Sequence, residues 1–334
     1  MSRDLSADKK LAVKMIDDGM VEDIFMEGDS PLGHYGHAVF DRFRTVEMKD
    51  GSKAIIGGAQ HNARTYAAYR RFISRSKEAI TDDVLLRRQC RLLQEAYRKF
   101  GSWNQYGHVL WGQDRAGMPM MASNEICKPP QPRMQLWMMP QGPLYGDGAY
   151  LLSDQRSDRP WDSNTSRYKM CGNYQSLLIR ADDARDDFQE RFKELAISVP
   201  KARVVGVLFW GLDLVSEGPS CNLAAIDRDF SILHVSGTNH FPGVTQQILA
   251  DLAMEVMKFR VDKDLRRWHL QYGAMTLGTA AGVSRARWFD GEDIEPCQAV
   301  ADLAGYYEEL CLGTLKQQHL VDKWMLRLDL SSPV

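Results

Sequence analysis

No two of the six cysteines stand as a CxxC pair, and a chain of 334 residues needs no disulfide to stay folded. Cys90, Cys127, Cys171, Cys221, Cys297 and Cys311 read as reduced, mostly buried thiols, and no metal site is expected. Neither sign of charge dominates. Against 44 acidic residues stand 42 basic ones, a net charge of −2, which gives no footprint for nucleic acid. No apolar run approaches the length of a membrane span, and the opening MSRDLSADKK lacks the apolar stretch of a signal peptide. A cytoplasmic location is the expectation. Repeats and long low-complexity tracts are missing as well. What is present is 44% hydrophobic and 26% charged, the mix of a globular protein, in a length that suits two cores better than one.

Residues 1–30 carry no regular pattern. A strand is expected over 36–46, leading to a turn at Asp50–Gly51. Tyr66, Tyr69, Phe72 and Ile73 recur at helical intervals within 62–76. A second helix is expected over 82–100, with Asp82 and Asp83 in its first turn and Leu85, Leu92, Leu93 and Ala96 on its buried side. Strands follow around 106–111 and 134–139. The run PQGPLYGDG at 140–148 is dense in Gly and Pro and reads as an interdomain linker, and the polar stretch 153–166 reads as a long loop. Beyond it, 202–211 and 222–226 are apolar strands. A helix is expected over 244–259, with Val244, Ile248, Leu249, Leu252 and Val256 on one face and Pro242 just before it. A last helix is expected over 295–311. The chain is thus mixed α+β: a small α/β domain over 1–139, a linker over 140–148 and a larger, sheet-rich domain over 149–334.

Four local features can carry chemistry. Lys169, in YKMCGNY, is either a surface charge near a turn or a pocket amine whose lost hydration lets it react as the neutral base. Glu217, in SEGPSCNL, is either a hairpin carboxylate or the partner of a ring nitrogen that must stay protonated. FPGVT at 241–245 opens a helix, and helix starts offer free N–H groups to anions. GTAAG at 278–282 is a small-residue turn, formed for tight packing or for close backbone approach to a phosphate or carboxylate.

Together and in this order, the four resemble the fold-type IV pyridoxal-phosphate enzymes, closest to the branched-chain-amino-acid aminotransferases of the class IV aminotransferase family. That family carries a lysine before G-N-Y, then E-G-x-x-x-N-L, P-G-V-T at a helix start, G-T-A-A, and D-K-W near the end, similar here to Asp322-Lys-Trp. HYGHAVFDRFR at 34–44 resembles its H-Y-G-x-x-V-F-E-G-x-R strand, and His61-Asn-Ala-Arg64 its H-x-x-R helix start. The resemblance spans roughly residues 30–330.

It implies a two-domain fold like that of D-amino-acid aminotransferase and transfer of an amino group between an amino acid and a 2-oxo acid, in biosynthesis. Pyridoxal 5'-phosphate would be the cofactor and a homodimer the assembly. Lys169 would carry the cofactor and move the substrate proton, Tyr174 would lie near its phenolic oxygen, and Glu217 would face its pyridine nitrogen. Arg64, the amides of Val244 and Thr245, and the hydroxyl of Thr279 would cup its phosphate. Tyr35, Phe40, Arg42, Tyr106, His108, Thr279 and Ala280 would line the substrate pocket, with Trp111 as a further aromatic.

Three departures bear on the substrate. The family's Y-I-R-P strand, whose arginine grips a substrate carboxylate, reads Tyr106-Gly-His108-Val here, and histidine lacks the planar fork. Arg42 replaces a small residue, to bind a carboxylate or to point into solvent. Cys221 replaces a glutamate, which brings the motif nearer to D-amino-acid and amine transaminases. Loss of one charge-assisted contact costs about 1.5–3 kcal/mol, enough to change substrate preference. A lyase or decarboxylase of the same fold is the other expectation for the chemistry.

Overall fold

In the computed structural model, the residues described are 12–16, 18–21, 38–72, 81–113, 132–140, 148–154, 168–210, 213–227, 229, 231–237 and 241–330. The expected linker residues 141–147, residues 155–166 of the expected loop, Tyr35, Cys127 and the side chain of Trp111 lie outside them.

The order is β1 (Val13–Ile16), β2 (Gly19–Val21), β3 (Ala38–Glu47), β4 (Lys53–Ile56), α1 (Gly58–Phe72), α2 (Asp82–Phe100), β5 (Gln105–Gln113), β6 (Pro132–Pro140) and β7 (Ala149–Ser153). There follow α3 (Cys171–Arg191), α4 (Lys193–Ala196), β8 (Val204–Trp210), β9 (Leu214–Glu217), β10 (Asn222–Asp227), β11 (Ile232–Val235), α5 (Val244–Leu252) and β12 (Arg260–Asp262). The chain continues through β13 (Gly273–Gly278), β14 (Gly282–Phe289), β15 (Glu292–Asp293), α6 (Gln298–Leu312), α7 (Gln318–Trp324) and β16 (Met325–Arg327). This is the mixed α+β fold expected, in two sheets. One runs β16-β4-β3-β5-β6-β1-β2 and the other β12-β11-β10-β13-β14-β7-β8-β9.

Several elements differ from expectation. β1 and β2 form an antiparallel pair where no pattern was read, and β1 is held by pairing to β6. α1 starts at Gly58 rather than 62, because Gly57 turns the chain at φ +59 and accepts from the His61 amide at 2.9 Å. The helix over 244–259 ends early: α5 passes into a π turn at Ala253–Met257, and Lys258 leaves it at φ +62. α2 matches its expected bounds, and Gly101 closes it in the left-handed conformation.

Two apolar clusters position the site. Val39, Phe43, Tyr69, Leu92 and Leu136 pack α1 and α2 on the first sheet. The larger cluster joins β3 and β4, through Val46 and Ile56, to Ile248, Leu252, Leu303, Tyr307 and Trp324 of α5, α6 and α7. Each fully buried side chain of this size contributes about 1.5–3 kcal/mol. Trp324 then locks the two sheets together. Its indole donates to Asp251 at 2.8 Å, its carbonyl accepts from the Gly57 amide at 2.5 Å, and β16 pairs with β4 beyond it.

Candidate active site

β4 pairs with β3 only over Thr45–Glu47, which leaves the first half of that edge of β3 open. The segment at 168–170 docks there: the Phe40 amide donates to the Lys169 carbonyl at 2.8 Å, and Val39 bridges Met170. Lys169 is fixed by its own backbone, one residue before the N-cap of α3. Its Nζ lies 3.7 Å from Asp41 Oδ1 and over the rings of Phe40 (5.7 Å) and Phe241 (5.2 Å).

Burial pushes the Lys169 amine down to about 7. Asp41 opposes the shift, and the guanidinium groups of Arg64 and Arg42 add to it. The neutral amine is thus abundant above pH 7 and disappears as pH falls through that value. Labelling of Lys169 by an amine-selective reagent should lose about tenfold per pH unit below 7 and level off above it. A labelling rate that still climbs steeply toward the ordinary lysine range would contradict this.

Asp41 is the residue that sequence reasoning missed. It is buried on the core face of β3, alternating with Val39 and Phe43. Arg64, from α1, grips it with a fork: Nε to Oδ2 and Nη2 to Oδ1, both 2.6 Å. Thr65 donates to it at 3.1 Å. The Asp41 carboxyl stays well below the usual carboxylate range, although burial alone would raise it, because the Arg64 guanidinium grips it and the Lys169 amine stands beside it. His61 Nδ1 stands 3.3 Å from Asp41, which would suggest an ion pair. Burial, however, pushes His61 down to about 4, so its imidazole is neutral and accepts from Arg64 Nη2 at 3.0 Å. Its signal in the sequence was a carboxylate at an otherwise apolar phase of a strand, where the resembling V-F-E motif also has one.

Arg64 reaches across the site to the carbonyl of Pro242 at 3.2 Å and lies 4.6 Å over the Phe241 ring. Glu217 ends β9, buried. Its Oε2 accepts from the Phe241 amide at 2.9 Å and from Asn222 at 3.4 Å, while Asn222 donates to the Phe241 carbonyl at 2.8 Å. These bonds press 241–243 against β10 so closely that a Cβ on Gly243 would lie 1.8 Å from Asn222 Oδ1. α5 begins at the next residue, with no side chain capping it, so the first-turn N–H groups of Val244 and Thr245 are left for a ligand.

Arg64, Lys169, Tyr174, Glu217, Val244, Thr245 and Thr279 all line one cleft of about 430 Å³, part of it open to solvent, together with Phe241, Cys221 and Gly278. Tyr174 meets Phe40 edge-on at 4.7 Å. Gly278 has open space above it, and the turn after it is tied to β3 by Arg44, which donates to the Ala280 carbonyl at 2.5 Å. Burial pushes the Cys221 thiol up to about 12, so it stays protonated.

The expected substrate residues divide. Arg42 and His108 are direct cross-strand partners on β3 and β5. Arg42 points inward, to the Tyr106 hydroxyl and to within 5.9 Å of the Phe40 ring, rather than into solvent. His108 stacks flat on Trp137 at 4.6 Å, and burial followed by the charge of Arg42 pushes it down to about 3. His108 is therefore a neutral ring at physiological pH.

No family model matches the sequence, and no curated protein matches it. Solved structures do match. A branched-chain aminotransferase from Thermoproteus uzoniensis, solved with norvaline, aligns over 94% of this chain and 98% of its own, at TM-score 0.74 and 16% identity. The Escherichia coli enzyme aligns over 96% and 99%, at 0.74 and 19%. That of Thermobaculum terrenum, in its PLP-form, aligns over 95% and 98%, at 0.73 and 15%. The chain has the fold of the branched-chain amino acid aminotransferases, in both its sheets and along nearly its whole length.

Proposed function

We propose that the chain is a pyridoxal-phosphate-dependent aminotransferase acting on an amino acid and a 2-oxo acid, with a substrate pocket altered from that of the branched-chain enzymes. The observation that carries this reading is Lys169, whose amine is half neutral at about pH 7 and faces a cleft with an anion-binding end and a buried carboxylate. The donor set fits pyridoxal 5'-phosphate. A fork arginine and an uncapped helix start suit a phosphate, Glu217 suits a protonated ring nitrogen, and Lys169 suits an aldehyde carbon. Bound there, the cofactor supplies the aldehyde and an electron-withdrawing ring.

The chain's own groups do the rest. Arg64, with Val244 and Thr245, holds the anionic end. Asp41 and the Pro242 carbonyl keep the guanidinium in place from behind. Glu217, anchored through Oε2 by the Phe241 amide, would be the carboxylate that keeps the ring nitrogen protonated. Lys169 Nζ, tethered by its carbonyl to β3, accepts a proton from the carbon that bears the amino group and returns one later. Phe40 and Phe241 keep water from that amine. The division at residues 140–148, a homodimer and a cytoplasmic location belong to the same proposal.

The test is a donor panel of glutamate, branched-chain amino acids, D-amino acids and a simple amine, added to cofactor-loaded protein. A productive donor should bleach the visible absorbance of the cofactor, and a 2-oxo acid should restore it. No change with any donor would sink the reading. Product from a single substrate without a 2-oxo acid would mark a lyase instead.

A further inference from the structure

Resting on that reading, we propose that Asn222 is a positioning residue: its one amide ties the carboxylate at one end of the cleft to the anion-binding helix start at the other, and keeps that helix start free of a cap. Asn222 opens β10 and is buried. Its Nδ2 donates to the Phe241 carbonyl at 2.8 Å and to Glu217 Oε2 at 3.4 Å. Through its backbone it pairs with Leu277, one residue before the Gly278 turn. The end of β9, the start of α5 and the end of β13 therefore meet at this residue, and each carries part of the site.

Two contacts fix how the amide lies. Nδ2 faces a carbonyl and a carboxylate, so turning the amide end for end would set three oxygens together. Oδ1 lies against Gly243, where a Cβ would come within 1.8 Å of it. The backbone of Gly243, at φ −69 and ψ 137, is one that any residue adopts. Glycine at this position is therefore required by Asn222 and not by the turn. The residue before a helix is ordinarily Ser, Thr, Asp or Asn, whose side chain occupies a first-turn N–H. By excluding any side chain at 243, Asn222 leaves the N–H groups of Val244 and Thr245 to an anion. Although Asn222 borders the cleft, both ends of its amide face the chain, so it acts on a ligand through Glu217 and α5.

Calorimetric titration with inorganic phosphate, without cofactor, reads the helix start and requires no turnover. N222D keeps the size of the side chain and exchanges its donor for an acceptor. At about pH 8 it should bind phosphate about tenfold weaker than wild type. As pH falls to about 6, the introduced carboxyl, enclosed beside Glu217, takes up a proton and donates again, so affinity relative to wild type should recover. That ratio cancels the titration of phosphate and of Lys169, which both proteins share. N222A should lose as much, with no recovery. G243A collides with the amide from the other side and should weaken phosphate too; adding N222A removes the collision and should not deepen the loss. G243A carries the test if neither substitution at 222 folds. The carboxylate end is read by turnover at saturating cofactor: N222A should lower kcat about tenfold, and much less when E217Q is already present. A wild type that binds no phosphate, unchanged affinity in the variants at 222, a loss in N222D that is the same at every pH, additive losses for G243A and N222A, or equal kcat effects with and without E217Q would each overturn the assignment. Failure of the donor panel would instead strike at transamination and leave the phosphate titrations readable.

Discussion

Lys169→Ala is expected to lower the transamination rate by about 10³-fold or more while leaving the fold intact. The size follows from losing proton transfer, about 10²–10⁴-fold by itself, together with the amine that attaches the cofactor. Survival of the fold follows from the local contacts. The backbone of residue 169 does the docking on β3, and Asp41 keeps its two short bonds to Arg64 when the longer contact to Nζ is gone. The measurement pairs steady-state turnover with a melting curve. An added small amine should recover part of the rate, since the cavity left by the side chain opens onto the cleft. Activity retained within tenfold of wild type would remove Lys169 from the chemistry.

Glu217→Gln should be the second largest effect, a fall in kcat of about 100-fold, the scale of removing one preorganised electrostatic partner from a dry site. The glutamine is isosteric, and its carbonyl oxygen can still accept from the Phe241 amide, so the 241–243 segment keeps its seat. What is lost is the negative charge beside the ring nitrogen. The expected signature is a reduced kcat with cofactor affinity little changed, because the anionic end is held elsewhere, by Arg64 and α5. A large loss of cofactor affinity, or a drop in melting temperature, would assign Glu217 to structure rather than to catalysis.

Much of this site could be read from the sequence because its parts are local: a helix start, a hairpin carboxylate, a small-residue turn and a lysine beside a turn are each defined by a few adjacent residues. The seven residues that the resemblance of these features implied, from Arg64 to Thr279, line one cleft. Asp41 escaped because its role depends on a helix that packs on β3 from elsewhere in the chain, and strand periodicity alone cannot place Arg64 opposite it. α3 escaped for a different reason. Its inward stripe is thin, Leu177, Ala184 and Phe188, while Leu178 and Ile179 are exposed and charged residues fill the rest, so no apolar face emerges from the pattern. The early end of α5 was hidden because Val256 and Phe259 keep helical spacing through the π turn and still pack on the core. The roles of Arg42 and His108 could not be separated by sequence, since only register makes them neighbours and only burial decides which one holds a charge.

The pairing of β16 with β4 has a consequence for the order in which the chain can assemble during synthesis. Gly57, which turns the chain into the helix of Arg64, takes its acceptor from Trp324, and the outer edge of β4 is covered by Met325–Arg327. These contacts are made by residues that leave the ribosome well after β4 and α1. The arginine that would hold the phosphate is therefore seated late, after both sheets exist. A ligand that needs Arg64 and α5 together would select chains already synthesised through β16, and its binding would report on that assembly rather than on any shorter nascent piece.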